Sequence, residues 1–167
     1  TNVATMGVND FKSNEKSVVI AAADDLRIEL HGTDGTVTAL KESLPVETGE
    51  VIDATFMDVA ALQTFLAGAI QRAKDEDVLF SVHLKATMMK VSDPIIFGHV
   101  VKTFFAPVFE QYGADLAAAG LSANDGLAAV LGGLDALDNG AEIKAAFDAA
   151  IAAGPRLAMV DSDKGIT

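Results

Sequence analysis

The order of apolar and polar positions predicts a strand-rich first third of the chain. Leu26, Ile28 and Leu30 alternate with charged residues, which is the period of a half-buried strand. Apolar stretches at 18–22, 36–40 and 49–56 predict three further strands, with Pro45 interrupting the path. The sequence HGTDG at 31–35 has turn chemistry and predicts a hairpin between the strands on either side of it.

The pattern then changes to helical spacing, with one strong strand among the helices. Apolar residues recur every three or four positions over 59–73, after Asp58 as a candidate cap. Positions 78–85 (VLFSVHLK) predict a strand, because the apolar residues at 78, 80, 82 and 84 share one face and polar residues at 81, 83 and 85 the other. Its polar face carries Ser81, His83 and Lys85.

Helical patterns dominate the rest of the chain. Asp93 followed by Pro94 predicts a helix that begins at Pro94 with Asp93 as its cap. The apolar stripe continues to Gly120 with a kink or break at Pro107. Two helices at 127–137 and 142–153 and a short strand at 157–160 follow.

This order of elements predicts an α/β fold, in which a mixed sheet carries helices packed on its faces. The 167 residues are enough for a single domain or subdomain and for a sizeable core. The chain begins at Thr1 and ends at Thr167 without a charged or flexible tail, so we expect a piece of a longer protein. Removal of an initial Met and a remnant of a tag is the alternative explanation.

The charge of the chain narrows the classes of partner. Twelve Lys and Arg stand against 24 Asp and Glu, which gives a formal net charge of −12. A negative field repels phosphate backbones and anionic lipid surfaces, and therefore argues against nucleic acid and membrane partners. The absence of cysteine excludes disulfides and thiolate metal sites. These features predict a soluble, cytoplasmic protein.

Two acidic runs and a methionine pair are weak candidates for a binding site. Asp24-Asp25 and Asp75-Glu76-Asp77 lack the alternating ligand spacing of a calcium loop, so we interpret them as solvated charge. Met88-Met89 is polarizable, but without cysteine or clustered histidine it is predicted to fill gaps in the core.

The segment 83–94 (HLKATMMKVSDP) is the strongest candidate for chemistry. It places His83 and Lys85 near the end of a strand that leads into a helix N-terminus. In α/β proteins such junctions position reactive groups and bound anions. From spacing alone, a solvated or ion-paired Lys85 at the strand edge is the commoner arrangement, and a catalytic Lys85 is the alternative.

The sequence HLKATMMKVSDPIIFGHVVKTFFAPVF at 83–109 resembles the core stretch of the monomeric NADP-dependent isocitrate dehydrogenases. The resemblance extends to both sides of this stretch and covers the whole chain. The further matching stretches are TNVATM at 1–6, NEKS at 14–17, GLAAVLGGL at 126–134, LDNGAEIKAAF at 137–147 and LAMVDSDKGIT at 157–167.

The resemblance implies that the chain is an internal segment of the large second domain of a much longer enzyme. It implies a partial isocitrate/isopropylmalate dehydrogenase-like fold and a monomeric parent protein. The parent's reaction is the oxidation of isocitrate with NADP and Mg²⁺ or Mn²⁺, followed by decarboxylation to 2-oxoglutarate and carbon dioxide. The family's metal-binding, substrate-binding arginine and NADP-contacting segments lie elsewhere, so no metal or cofactor ligand is assigned to this chain, and we expect the fragment to be inactive.

One functional residue is carried over from the family. Lys85 matches the catalytic, substrate-contacting lysine of the HLKATMMK motif, either as the base or as a group that positions a relay. A lysine acts as a base near neutral pH only where burial or a nearby cation, such as the metal, lowers its pKa. Tyr112, the sole tyrosine, does not match the family's acid and is predicted to lie in the core.

A different class of function stays open at this point. The chain is alternatively a non-catalytic scaffold or interaction domain. Apolar surface that normally packs on other segments also favours self-association of the fragment.

Overall fold

The computed structural model describes residues 3–84, 88–157, 160–161 and 165–166. Contacts divide the chain into two units, Gly7–Asp58 (the strand unit) and Thr1–Met6 with Val59–Thr167 (the helical unit). The single domain or subdomain expected from the chain length stays a prediction, because a compact unit can be one lobe of a larger domain.

The strand unit contains a one-turn helix and four strands. Helix α1 (Phe11–Asn14) is capped by Asp10, whose carboxylate accepts a hydrogen bond from the Ser13 amide at 2.8 Å. The strands pair antiparallel in two separate two-stranded sheets. These are β1 (Lys16–Val19) with β4 (Val51–Ala54), and β2 (Asp24–His31) with β3 (Val37–Val46).

The predicted hairpin turn is confirmed between β2 and β3. The Gly32 amide donates to the Thr36 carbonyl at 2.8 Å, and Gly35 has a φ of 84°, which glycine adopts without strain. The Asp34 carboxylate accepts hydrogen bonds from the Thr36 hydroxyl at 2.7 Å and the Thr36 amide at 3.0 Å. These two bonds hold the pKa of Asp34 below its ordinary value.

Pro45 does not interrupt the strand, contrary to the prediction. Strand β3 continues through it to Val46, and Pro45 lies opposite Asp25 in the register. Each strand of a two-stranded sheet has one unpaired edge, where a residue without an N–H is tolerated. The hairpin is therefore longer than the sequence pattern indicates.

Among its described residues, the helical unit contains five α-helices. The break predicted at Pro107 is confirmed, because α3 ends at Phe104 and Pro107 lies in the first turn of the next helix. The helices are α2 (Val59–Asp75), α3 (Ser92–Phe104), α4 (Ala106–Ala118), α5 (Leu127–Gly133) and α6 (Gly140–Ala153), with 3₁₀ turns at Ala123–Asp125 and Leu134–Ala136. Among the described helices, none has both the length and the apolar character needed to cross a membrane.

The core of the helical unit lies between α3, α4, α5 and α6. Val130, Ile143 and Phe147 are completely buried in it. Gly98 allows α3 to approach the 3₁₀ turn closely, since a Cβ at this position would overlap the side chain of Asn124. The buried cluster consists of Val101, Phe105, Val108, Tyr112, Leu116, Ala123, Leu127, Val130, Leu134, Ile143 and Phe147.

The α/β class is confirmed, and the arrangement is consistent with a partial dehydrogenase-like fold. Strands β5 (Val160–Asp161) and β6 (Gly165–Ile166) form a third two-stranded antiparallel sheet. Within the described part of the strand predicted at 78–85, the structure contains one isolated parallel β-bridge, between Phe80 and Leu157. A strand needs a continuous hydrogen-bonding partner, and the backbone of residues 81–84 forms no backbone hydrogen bond with any described residue.

Candidate active-site segment

The segment Phe80–Leu84 leads directly to the predicted Lys85, and it is held at its first residue. The Phe80 amide donates a hydrogen bond to the Arg156 carbonyl at 2.8 Å. The Phe80 ring stacks on Phe104 of α3, with ring centroids 6.3 Å apart. Phe104 in turn contacts Phe105, whose ring packs against the buried Phe147. A chain of aromatic contacts therefore joins the segment to the core of the helical unit.

An apolar cavity of about 300 Å³ lies between this segment and α3. Two side chains give it polar character, Ser81 and His83, and His83 is its one ionisable lining residue among those described. The cavity can accommodate apolar groups, with a polar contact available on the side of the segment. Its lining consists of 80–83, Phe97, Val100, Val101, Phe104, Phe105, 126–128 and Leu157.

Ser81 and His83 are linked by a hydrogen bond. The Ser81 Oγ lies 2.7 Å from the His83 Nε2, and both side chains are otherwise exposed. Alternation along an extended chain brings residues two apart to the same side, so this pair is compatible with the sequence pattern. The pattern alone did not reveal the bond, because side chains two apart on a strand face are usually too far apart to touch.

The predicted catalytic residue, Lys85, lies outside the described residues. Both alternatives for Lys85, a solvated or ion-paired surface lysine and a catalytic lysine, therefore stay predictions. Lys90, in the turn that follows, is exposed. Met88 and Met89 are exposed as well, so the prediction that they fill the core is wrong. They belong to the turn before α3, where no layer covers them within the described part of the helical unit.

Helix α3 begins differently from the prediction. It starts at Ser92, and Val91 occupies the N-cap position without a side-chain hydrogen bond. Asp93 is therefore inside the first turn, and its predicted role as the cap of a helix beginning at Pro94 is wrong. Asp93 is only 6% exposed and is the one buried charged residue among those described. A carboxylate there is favoured by the partial positive charge of the helix N-terminus.

The acidic runs have structural contacts. The Asp25 carboxylate accepts hydrogen bonds from the Ser43 hydroxyl at 2.8 Å and the Leu44 amide at 2.9 Å, within the β2–β3 hairpin. Asp77 lies 3.3 Å from the Arg156 guanidinium. Within the described ranges, no three His, Asp or Glu side chains come close enough together to hold a metal ion. The described donor set therefore does not fit a catalytic divalent cation.

Tyr112 lies in the core, as predicted, and its hydroxyl is used to join two helices. It donates to the Glu142 carboxylate of α6 at 2.6 Å and accepts from the Gln111 amide at 2.9 Å. The bond to Glu142, followed by burial, raises the pKa of Tyr112 above its ordinary value. A phenol held neutral between helices serves packing, and nothing in the described cavity involves it.

Comparison with known proteins covers the chain from end to end. A family model described as monomeric isocitrate dehydrogenase matches residues 1–167. The chain belongs to the monomeric isocitrate dehydrogenase family.

Individual members of this family align with the whole chain. A Corynebacterium efficiens protein named isocitrate dehydrogenase (NADP) is 62% identical over 167 residues, which are 100% of this chain and 23% of that protein. A Corynebacterium glutamicum protein of the same name is 59% identical, with the same two shares. A Colwellia maris protein named isocitrate dehydrogenase (NADP) 2 is 46% identical over 169 residues, again 100% and 23%. The chain thus spans 23% of the length of these relatives.

Proposed function

We propose that this chain is a segment of an NADP-dependent isocitrate dehydrogenase. The parent protein would oxidise isocitrate and decarboxylate the product to 2-oxoglutarate and carbon dioxide. The observation that carries the proposal is the family match over all 167 residues, together with relatives of that name that align with the entire chain.

Within this function, Lys85 acts on the hydroxyl proton of bound isocitrate. Oxidation of a secondary alcohol requires that this proton leave as the carbon–hydrogen bond breaks, and a positioned base makes its removal easier. Lys85 either takes the proton or holds the group that takes it. Its place in the HLKATMMK motif supports this role. The nearby Phe80 is joined through the rings of Phe104 and Phe105 to the core of the helical unit.

The parent's cofactors are NADP and Mg²⁺ or Mn²⁺, bound by other parts of the parent protein. The described residues do not fit a divalent cation, because no group of three acidic or histidine side chains converges. They do not fit NADP phosphates either, since the cavity next to the segment is apolar and has no lysine or arginine in its lining. We assign the segment to the substrate side of the site because it leads to Lys85, which resembles the family's substrate-contacting lysine.

The proposal also includes the state of the parent protein. We propose that the parent is a cytoplasmic monomer without nucleic acid or membrane partners. The formal net charge of −12 on this chain supports the absence of polyanionic partners, because it repels phosphate groups. The 167-residue chain in isolation self-associates through apolar residues of its hairpins, several of which are about half exposed.

The experiment that tests the function is an assay of NADPH formation from isocitrate. The full-length parent with NADP and magnesium or manganese should form NADPH, and omission of isocitrate is its control. The isolated 167-residue chain at equal molar concentration should form none above a blank without enzyme. NADPH formation by the isolated chain would show that it holds a complete site. A parent protein that forms no NADPH would favour the scaffold or interaction domain.

A further inference from the structure

The start of helix α6 contains an Asn-Gly sequence, at Asn139-Gly140. Asparagine is a thermolabile residue, because the amide nitrogen of the following residue can attack its side-chain carbonyl carbon. A following glycine hinders this attack least, since it has no Cβ. Each of the other four asparagines is followed by a residue with a branched or acidic side chain, at positions 3, 10, 15 and 125. In the unfolded chain, Asn139 is therefore the asparagine most exposed to this reaction.

The fold requires glycine at this position. A Cβ at Gly140 would overlap the Leu134 carbonyl, in the 3₁₀ turn that packs against α6. The Gly140 amide donates to the Leu137 carbonyl at 3.1 Å, and the Asn139 carbonyl accepts from the Ile143 amide at 3.0 Å. The labile dipeptide is thus built into the packing at the first turn of α6.

The folded geometry keeps the reacting atoms apart. Asn139 has a ψ of 15°, so the Gly140 nitrogen is nearly eclipsed with the Asn139 amide nitrogen and is turned away from the side chain. Closure of a five-membered ring requires it to be eclipsed with the Asn139 Cβ instead. The carboxamide is also held, because Asn139 Nδ2 donates to the Asp115 carboxylate of α4 at 2.7 Å. The reaction therefore requires the first turn of α6 to open and this hydrogen bond to break.

We propose that Asn139 is a site of spontaneous deamidation, which the contact between α4 and α6 protects in the folded protein. In the reaction, the Gly140 nitrogen loses its proton and bonds to Asn139 Cγ, and the Nδ2 group leaves with a proton as ammonia. Water then opens the cyclic imide at one of its two carbonyls. The product is aspartate or isoaspartate at position 139.

The product weakens the contact that protected the asparagine. A carboxylate at position 139 cannot donate to Asp115 and repels it, so an attraction between α4 and α6 becomes a repulsion. Asn139 makes no side-chain cap hydrogen bond with α6, so no capping contact offsets this change. Isoaspartate also inserts a methylene group into the backbone at the start of the helix. Deamidation therefore loosens the helical unit.

The test is peptide mapping by mass spectrometry of the full-length parent protein after incubation at mildly alkaline pH. In guanidinium chloride, Asn139 should deamidate fastest among the five asparagines of this chain. In the folded protein, it should react at least about tenfold more slowly, since only the locally opened form reacts. Isoaspartate in the peptide that contains position 139 identifies the cyclic imide as the intermediate.

Substitutions of Asp115 test the protecting contact. Asp115→Ala should raise the rate in the folded protein roughly tenfold, as expected when loss of a bond to a charged acceptor favours opening. Asp115→Asn keeps an acceptor oxygen and should give an intermediate rate, because a neutral acceptor binds less strongly. Asp148→Ala is the matched control, since it removes a carboxylate of α6 that is bonded to Lys144 and should leave the rate unchanged.

Three results would overturn the proposal. These are equal rates in the folded and unfolded protein, faster deamidation of another of the five asparagines in guanidinium chloride, and an unchanged rate in folded Asp115→Ala. Should Asp115→Ala not fold, Asp115→Asn must still react faster than Asp148→Ala. None of these measurements uses turnover, so their outcome is independent of the proposed function of Lys85.

Discussion

The strand unit and the helical unit bury their apolar residues to very different extents. In the strand unit, Val46 is the one buried apolar residue among those described, while Ile28 and Leu30 are 49% and 57% exposed. In the helical unit, Ile143 and Phe147 are 0% exposed. Periodicity therefore determines which element forms, whereas burial requires an opposing layer. A two-stranded hairpin has no such layer within its own unit.

The largest expected effect contrasts one residue from each unit. Phe147→Ala should lower the unfolding free energy of the helical unit by about 3–5 kcal/mol, because it leaves a cavity in a closed core. Leu30→Ala should cost the strand unit less than about 1 kcal/mol, since little apolar area leaves contact with protein. Hydrogen exchange of backbone amides, analysed separately for the two units of the 167-residue chain, measures both losses of unfolding free energy. Equal losses for the two substitutions would contradict the difference in burial.

A second comparison uses two glycines within the helical unit. A Cβ at Gly140 would overlap the Leu134 carbonyl, whereas a Cβ at Gly68 in α2 meets no atom within 4 Å. Gly140→Ala should therefore destabilise by about 1–3 kcal/mol through overpacking. Gly68→Ala should stabilise by about 0.5–1 kcal/mol, because alanine loses less backbone entropy in a helix. Thermal unfolding of the two variants tests these opposite changes in stability. Changes of the same sign in the unfolding temperature would be inconsistent with the packing described.

A smaller effect is expected where α4 and α6 meet at Tyr112. Tyr112→Phe removes a hydrogen bond to Glu142 but keeps the ring, so it should destabilise less than Phe147→Ala. Because the folded pKa of Tyr112 is raised, the unfolded chain ionises first. The stabilisation is therefore complete below pH 10.0, the ordinary value, and is lost as the pH rises through the folded pKa.

Ultraviolet absorption of tyrosinate measures the pKa of Tyr112 directly, because Tyr112 is the only tyrosine of the chain. The titration midpoint should lie above 10.0 in the folded chain, and the stability difference between wild type and Tyr112→Phe should shrink only at higher pH. A midpoint at or below the ordinary value would mean that the bond to Glu142 does not form.

Element types were predictable where the pattern was long and periodic. The helix from Val59, the break at Pro107 and the hairpin turn around Gly35 all follow from local chemistry, and the structure contains them. Local chemistry also explains the failures. The sequence predicts a break at Pro45 because it does not reveal that β3 keeps an unpaired edge.

Contacts between distant parts of the chain were not predictable. The first residue of helix α3 was not predictable either. The helix begins at Ser92, one residue before Asp93, so the buried Asp93 carboxylate lies within the first turn and not at the predicted N-cap position. Met88 and Met89 are apolar, but nothing in their sequence context indicates whether a layer covers them. The cavity beside α3 joins residues from four separate stretches of the chain, which no spacing rule connects. The candidate Lys85 came from family resemblance, since its spacing favoured a surface lysine.

The central claim is that Lys85 acts in the chemical step of the parent enzyme, and kcat of Lys85→Met tests it most directly. The substitution keeps an apolar stem and removes the ammonium group. Turnover should fall about a hundredfold or more, the range of acid–base groups, while affinity for NADP changes little. Lys90→Met is the control, because it removes the same charge from an exposed position five residues away and should leave turnover near wild type. Retention of more than about a third of wild-type turnover in Lys85→Met would instead make Lys85 an ordinary surface lysine.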